Sequence, residues 1–427
     1  MAPMVSKEQT FKVVEICAGA GGQGLGLEKA GFEHELAVEI DSYACQTLAL
    51  NRQSWKIAQG DVADRSVWKP EIYAGVDLLA GGVPCPPFSI AGKQLGAGDE
   101  RDLFAWAVQT AVEIRPRALL LENVRGLSMP RFAAYRQHVL DSLADAGYVG
   151  QWRLLQASDF GVPQLRPRFV LVALRDKDAP YFAWPEAQGD PGTVGDALRG
   201  LMEENGWEHA DEWAQLASGI APTIVGGSKK HGGADLGPTR AKRAWADMFV
   251  DGLGIANEAP AMKDPHPEEK KPKLTVEMVK RLQGWDPADK WELAGRKTAQ
   301  YRQVGNAFPP PMAEAVGRAI HDALSQKEEK TDLGLLKVEH DGVYRALREA
   351  DGYVSFEALR NRVKPALDPA KLEQHVANLS KDFHIDFIYP AQGGVEIRLG
   401  SFRAFTGQDD HERHAAFATR SARSRIS

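Results

Sequence analysis

Between residues 11 and 175, short unbroken apolar runs alternate with stretches in which apolar positions recur every three to four residues. "FKVVEIC", "HELAVEI", "VDLLAGG", "RALLLENV" and "RFVLVAL" read as strands, with the amphipathic "DLFAWAVQTAVEI" and "YRQHVLDSLADAG" between them. Buried strands separated by helices predict an α/β fold built on a mostly parallel, doubly wound sheet. A further short strand is expected just before Asp61 in "GDV".

The rhythm breaks after residue 175. Residues 176 to 272 are rich in Gly, Pro, Trp and scattered charge, which predicts a loop-rich insertion or second lobe. "TVEMVKRLQGW" then reads as a helix, and "YRQVGNAFPPPMAEAVGRAIHDAL" returns to a capped helical pattern. The charged "SQKEEKTD" reads as a linker. Beyond it, 332–400 reads as a separate small domain of helix, turn, helix, longer helix and β-ribbon, and 401–427 as a disordered tail with an arginine-rich end.

Length and composition narrow the classes. At 427 residues and 43% hydrophobic, the chain is expected to form two or three units. It has no run of eighteen apolar residues and no export-signal pattern, so a soluble cytoplasmic protein without a membrane partner is expected. Cys17, Cys45 and Cys85 are odd in number and widely spaced, which suits a reduced compartment and excludes a disulfide framework or metal-ligand spacing. The net charge of −6 does not advertise nucleic acid, but the distribution of charge matters more than its sum.

Chemistry-bearing stretches fall at strand ends. "EICAGAGGQGLGLEKAGF" follows a strand and opens a helix, with Gly19, Gly21 and Gly24 at the spacing of a nucleotide-binding turn. Glu39 in "VEID" follows about twenty residues later, where an acid grips ribose hydroxyls. Together these suit an adenosine-containing cofactor without choosing between NAD, FAD and S-adenosylmethionine, and a tight turn made only for packing stays open. Asp61 is a candidate adenine acceptor or an ordinary turn residue. In "GGVPCPPFSIAG", Pro84, Pro86 and Pro87 fix the backbone around Cys85 at the carboxyl edge of the sheet, where open α/β sheets place ligands. Such a held thiol reads as a nucleophile, the alternative being a structural cysteine. Glu122 and Asn123 end another strand on that edge, and a carboxylic acid beside a thiolate suits a ring protonated while it is attacked. Gln164, Arg166 and Arg168 in "QLRPR" precede a strand and could hold a phosphate, a ring carbonyl or a surface ion pair.

The order of the glycine turn, "VEID", "PCPPFS", "ENV", "QLRPR", a variable region, "LTVEMVKRLQGW" and "QVGNAFPPP" resembles the motif series of the cytosine carbon-5 DNA methyltransferases over roughly residues 12 to 325. The resemblance implies S-adenosylmethionine as cofactor and, as substrate, a cytosine extruded from double-stranded DNA. It implies a Cys85 thiolate attacking ring carbon 6, Glu122 holding ring nitrogen 3 and the exocyclic amine, and Arg168 holding the ring carbonyl, supported by Arg166 and Gln164. The same arginines are expected to help keep Cys85 ionised. The cofactor pocket it implies draws on Ala18, Gly19, Gly21, Gly22, Glu39, Ile40, Asp61, Val62, Pro84, Leu103, Asn306 and Ala307.

On this resemblance the catalytic domain is 11–175, the target-recognition region 176–297, and 298–325 a returning catalytic segment, while 332–400 resembles a winged helix in pattern only. Cys17 stands where the family carries Phe, Ile40 is a conservative change over the adenine face, and Val276 and Glu277 replace an Arg-Glu pair. In the recognition region, Lys229, Lys230, Arg240, Lys242 and Arg243 gather in a glycine-rich context suited to phosphate contact. Thr223 and Ile224 match an element that seats the displaced nucleotide, and Ser89 is also expected at the DNA. Family habit adds a partner endonuclease acting on the same site, not necessarily in contact, and a monomer on DNA in the bacterial cytosol. An RNA cytosine methyltransferase and a non-catalytic regulatory relative remain alternatives, whereas a dinucleotide oxidoreductase would leave "PCPPFS" and "ENV" without a purpose.

Overall fold

The computed structural model describes residues 10–84, 103–226, 234–327, 329–332, 339–391 and 393–402. Along the first part run β1 (Phe11–Ile16), α1 (Gly22–Lys29), β2 (Phe32–Glu39), α2 (Ser42–Asn51), β3 (Ile57–Gln59), β4 (Leu78–Gly82), α3 (Leu103–Ile114), β5 (Ala118–Val124), α4 (Ala133–Asp145), β6 (Tyr148–Gln156), β7 (Gln164–Leu165) and β8 (Pro167–Arg175). Seven of these strands form one sheet in the order β3-β2-β1-β4-β5-β8-β6. The pairs from β3 through β5 are parallel, and β8 is inserted antiparallel between β5 and β6. The mostly parallel sheet matches expectation. Two features differ: β6 was not among the expected strands, and apolar runs carry no direction, so the reversal of β8 was invisible.

The strand interiors are apolar on both faces because helices cover both. Val13, Leu78, Leu120 and Val172 pack toward α10 (Pro310–Leu324), while Val14, Leu79, Leu119 and Leu171 pack toward α3 and α4. The returning α10 lies directly on α1. A Cβ on Gly26 would stand 2.5 Å from the Pro310 carbonyl oxygen and 2.6 Å from Ala313, so glycine is what permits this approach.

Residues 176–297 are more helical than their composition suggested. They hold α5 (Val194–Glu203), α6 (Ala210–Leu216), the two-residue β9 (Ala221–Pro222), α7 (Thr239–Asp247) and α8 (Val276–Leu282), and α9 (Lys297–Asn306) begins at their end. Trp207, Trp213, Trp245, Trp285 and Trp291 are all buried there, in a core that runs on to Leu25 and Leu48 of the sheet's own helices. Large aromatics, each burying on the order of 200 Å², supply what the short helices lack in periodic pattern.

The final described part comprises α11 (Gly342–Glu349), β10 (Val354–Ser355), α12 (Phe356–Arg362), α13 (Pro369–Asp382), β11 (Phe383–Ile388) and β12 (Glu396–Phe402), the strands pairing as β10-β12-β11. It packs on α4: Ala134 joins its core, His138 Nδ1 and the Tyr344 hydroxyl are 2.8 Å apart, and Arg348 pairs with Asp141 at 3.0 Å and with Asp145.

Candidate active site

The site is built at the carboxyl ends of β1, β2, β4 and β5. In the β4–β5 pairing Gly82 stands opposite Glu122, which puts the chain leaving β4 toward Val83 and Pro84 beside that carboxylate. The Asn123 side-chain amide donates to the Val83 carbonyl at 2.9 Å, and its carbonyl oxygen accepts from the Val124 amide at 2.8 Å. Asn123 thereby fixes the exit of β4 two residues ahead of Cys85. Cys85 and Ser89 themselves lie outside the described residues, as do Lys229 and Lys230.

Arg168, diagonal to Glu122 across the β5–β8 pair, brings its Nε to 2.5 Å from Glu122 Oε1, with both side chains about nine-tenths buried. Among the described residues the Arg168 Nε–H has no aligned hydrogen-bond acceptor, so this is a contact of charges. Burial raises the Glu122 carboxyl above its ordinary range, partly offset by Arg168 and Arg166. A carboxyl whose affinity for a proton is raised by burial, facing a guanidinium, can offer a proton or hydrogen bond to a ring.

Gln164 and Arg166 bond outward to other segments. Both are fully buried. The Arg166 guanidinium donates to the carbonyls of Ile224 (2.5 Å), Gly305 (2.7 Å) and Ala307 (2.9 Å). Gln164 donates to Gln283 Oε1 and the Leu282 carbonyl and accepts from the Ile224 amide. Gln283 in turn donates to Ala307 O at 2.8 Å. Four distant pieces of chain are thus tied together, with Gln164 and Arg166, just ahead of Arg168 in the chain, bonded to buried backbone and to Gln283. Ile224 is fully buried, its amide donating to Gln164 and its carbonyl accepting from Arg166. Thr223 is more open, its hydroxyl donating to Leu165 O at 2.5 Å. Arg240 and Arg243 are exposed on α7, whereas Lys242 is half-buried and paired with Asp235 at 2.7 Å. Gln283 was not among the expected site residues, although it lies within the "LTVEMVKRLQGW" stretch.

The glycine turn lies one strand away. Cys17, Gly19 and Gly21 all adopt positive φ (52°, 57° and 83°). Only Gly19 faces open space, with nothing within 4 Å of where a Cβ would be. A Cβ on Gly21 would reach Trp291 at 2.5 Å, and one on Gly22 would strike the Phe308 carbonyl, so those glycines serve close packing of α1 against returning segments. Ala18 is buried, its amide donating to Val38 O. Glu39 Oε2 accepts from the Gly19 amide at 2.7 Å, and Oε1 from the Ile40 and Asp41 amides at 2.9 and 2.8 Å. Ile40 is 68% exposed beside it. Asp61 is exposed and accepts from the Ala63 amide at 2.9 Å; Val62 and Ala307 are buried, Leu103 is half-buried, and Asn306 and Pro84 are exposed. An open cradle at Gly19, an anchored carboxylate, an exposed apolar side chain and a second acid fit an adenosine group. Val276 leaves no salt bridge of the expected kind at the start of α8, and Glu277 pairs instead with Lys280 at 2.7 Å.

The other two cysteines are unsuited to nucleophilic work. Burial and neighbouring acids, Glu39 foremost, push the Cys17 thiol far up, and burial pushes Cys45 up to about 11. Cys45 Sγ also donates to the Glu39 carbonyl at 3.3 Å.

A doubly wound sheet with one reversed strand and its chemistry at the parallel carboxyl edge is the fold of the methyltransferase class. Two solved structures share it: a Spodoptera frugiperda DNMT2 mutant (TM-score 0.52, 17% identity, covering 73% of this chain and 99% of that one) and an E. coli prophage protein described as a DNA modification methyltransferase (TM-score 0.50, 21% identity, 74% and 100%). The family model of the C-5 cytosine-specific DNA methylases matches residues 11–322, and the chain belongs to that family. It is 58% identical over 409 residues to the Type II methyltransferase M.NaeI of Lentzea aerocolonigenes, covering 96% of this chain and 98% of that one. It is 50% identical over 321 residues to M.NgoMIV of Neisseria gonorrhoeae, covering 74% and 99%. The protein is a DNA cytosine-5 methyltransferase.

Proposed function

We propose that the protein methylates carbon 5 of a cytosine within a specific duplex sequence, with S-adenosylmethionine as donor and Cys85 as nucleophile. The observation that supports this is the register of Gly82 opposite Glu122, which brings Val83 and Pro84, the residues leading to Cys85 in sequence, beside a buried carboxyl whose pKa burial raises and which Arg168 faces. The cofactor, when bound, supplies the methyl group as a sulfonium electrophile. Residues fitted to hold it are Gly19 for the open cradle, Glu39 for ribose hydroxyls, Ile40 over the adenine and Asp61 toward the exocyclic amine.

Cys85 adds as the thiolate to carbon 6 of an extruded cytosine, forming a carbon–sulfur bond and pushing electrons toward carbon 5. Glu122 supplies a proton or hydrogen bond at ring nitrogen 3, which lowers the cost of that electron movement, and Arg168 stabilises the ring carbonyl oxygen. After carbon 5 gains its methyl it loses a proton, and elimination of the Cys85 sulfur restores the ring. The exposure of Arg240 and Arg243 on α7 supports phosphate contact there. The helix and strand order of residues 342–402 supports reading that part as a winged helix, and likeness to Type II methyltransferases supports a partner endonuclease sharing the DNA site.

The test is transfer of labelled methyl from S-adenosylmethionine to unmethylated plasmid DNA and to bulk tRNA, with Cys85→Ala as control. Label on DNA, lost in the variant, supports the reading. Label on tRNA alone moves the substrate to RNA.

A further inference from the structure

The glycine turn is braced from outside the sheet by a side chain that no motif announces. The indole of Trp291, from the stretch between α8 and α9, donates its Nε1–H to the Ala20 carbonyl at 3.0 Å, between Gly19 and Gly21. Its ring fills the space above Gly21: a Cβ there would stand 2.5 Å from it. Trp291 is only 1% exposed. It is held in turn by Lys280, whose ammonium, though on a largely buried side chain, donates to the Trp291 carbonyl at 2.8 Å. The Arg52 guanidinium lies 5.0 Å from its ring centre.

These contacts have an unusual placement. Gly19, Gly21 and Cys17 hold left-handed backbone conformations, which are costly for Cys17 and persist only where surroundings over-determine them. The hydrogen bond to Ala20 falls in the middle of that strained stretch. The brace comes from the segment that also carries Gln283, part of the network around Arg166, so one piece of chain holds both the cofactor turn and, through Gln283, the Gln164 side chain and the Ala307 carbonyl.

We propose that Trp291 is a positioning residue for cofactor binding: its indole N–H holds the Ala18–Gly21 turn in the shape that receives the adenosine group. This rests on the cofactor reading above. The lost interaction is one buried hydrogen bond, so its removal should weaken binding by about 3–10-fold.

The experiment titrates S-adenosylmethionine into the wild type, Trp291→Phe and Lys280→Met by calorimetry, with melting curves and steady-state kinetics alongside. Phe keeps a ring over Gly21 and removes only the donor. The expected result is a 3–10-fold rise in cofactor Kd and KM for Trp291→Phe, with the DNA KM steady and kcat at saturating cofactor falling less than KM rises. Lys280→Met should move Kd the same way by less. A Trp291→Phe protein that melts lower yet binds with unchanged Kd overturns the proposal and leaves Trp291 as core packing. A wild type that fails to bind the cofactor overturns the underlying reading instead.

Discussion

Arg168 Nε stands 2.5 Å from Glu122 Oε1, both side chains about nine-tenths buried, yet without hydrogen-bond alignment. Burial holds the carboxyl above its ordinary range, so it can carry a proton toward ring nitrogen 3. Glu122→Gln removes that proton and should lower kcat by about 10²–10⁴-fold. The protonated fraction in the wild type declines as pH rises through the elevated pKa. A pH–rate profile should therefore fall on its alkaline side in the wild type, and this limb should be missing from the residual activity of Glu122→Gln.

Arg166 makes the opposite kind of contribution. Replacing it with Lys leaves a single ammonium to serve the carbonyls of Ile224, Gly305 and Ala307, which a planar fork now satisfies together. Buried acceptors left unpaired, or a buried charge poorly paired, should cost about 3–5 kcal/mol. Urea unfolding of Arg166→Lys should show this loss.

The turn glycines should separate into two classes. Gly19→Ala places a methyl in open space at φ 57°, for a stability cost of about 1 kcal/mol, and should weaken cofactor binding far more than folding. Gly22→Ala drives a methyl into the Phe308 carbonyl and against Ala307 and should destabilise the fold outright. Melting curves and cofactor titration on the two variants read the difference.

Acid should loosen the contact between α4 and the C-terminal part. His138 and His340 are held down to about 4 by burial, helped by Arg348 and Arg136 respectively. Groups depressed from an unfolded value near 6.5 contribute stability that is fully present above 6.5 and is lost as pH falls toward 4. His375 runs the other way, raised by Asp341, so its contribution is present below 6.5 and lost as pH rises through its folded value. Melting from pH 8 to pH 5 should show a falling transition, and His138→Gln should flatten it.

The family's catalytic unit should work without residues 333–427. The M.NgoMIV match spans 99% of that relative but only 74% of this chain. A chain ending at Asp332 should methylate DNA, while being less soluble because the α4 face around Ala134 and His138 loses its cover.

Much of this was legible in advance because apolar runs and proline-flanked or glycine-rich turns are local. β6 escaped because Gly150, Gln151 and Arg153, on an edge strand, break the apolar run. The role of Arg166 escaped because its partners lie 58 to 141 residues away, and spacing does not encode carbonyl direction. The helical character of 176–297 escaped because its helices are short and tryptophans from the loops between them share in building that core.

The central claim is that Cys85 attacks the cytosine ring. A duplex carrying 5-fluorocytosine at the methylated position blocks loss of the group at carbon 5 and should hold the protein as a covalent adduct. With S-adenosylmethionine present, peptide mapping by mass spectrometry should place the adduct on Cys85 and nowhere else. An adduct on Cys17 or Cys45, or none from a protein that methylates ordinary DNA, would contradict it.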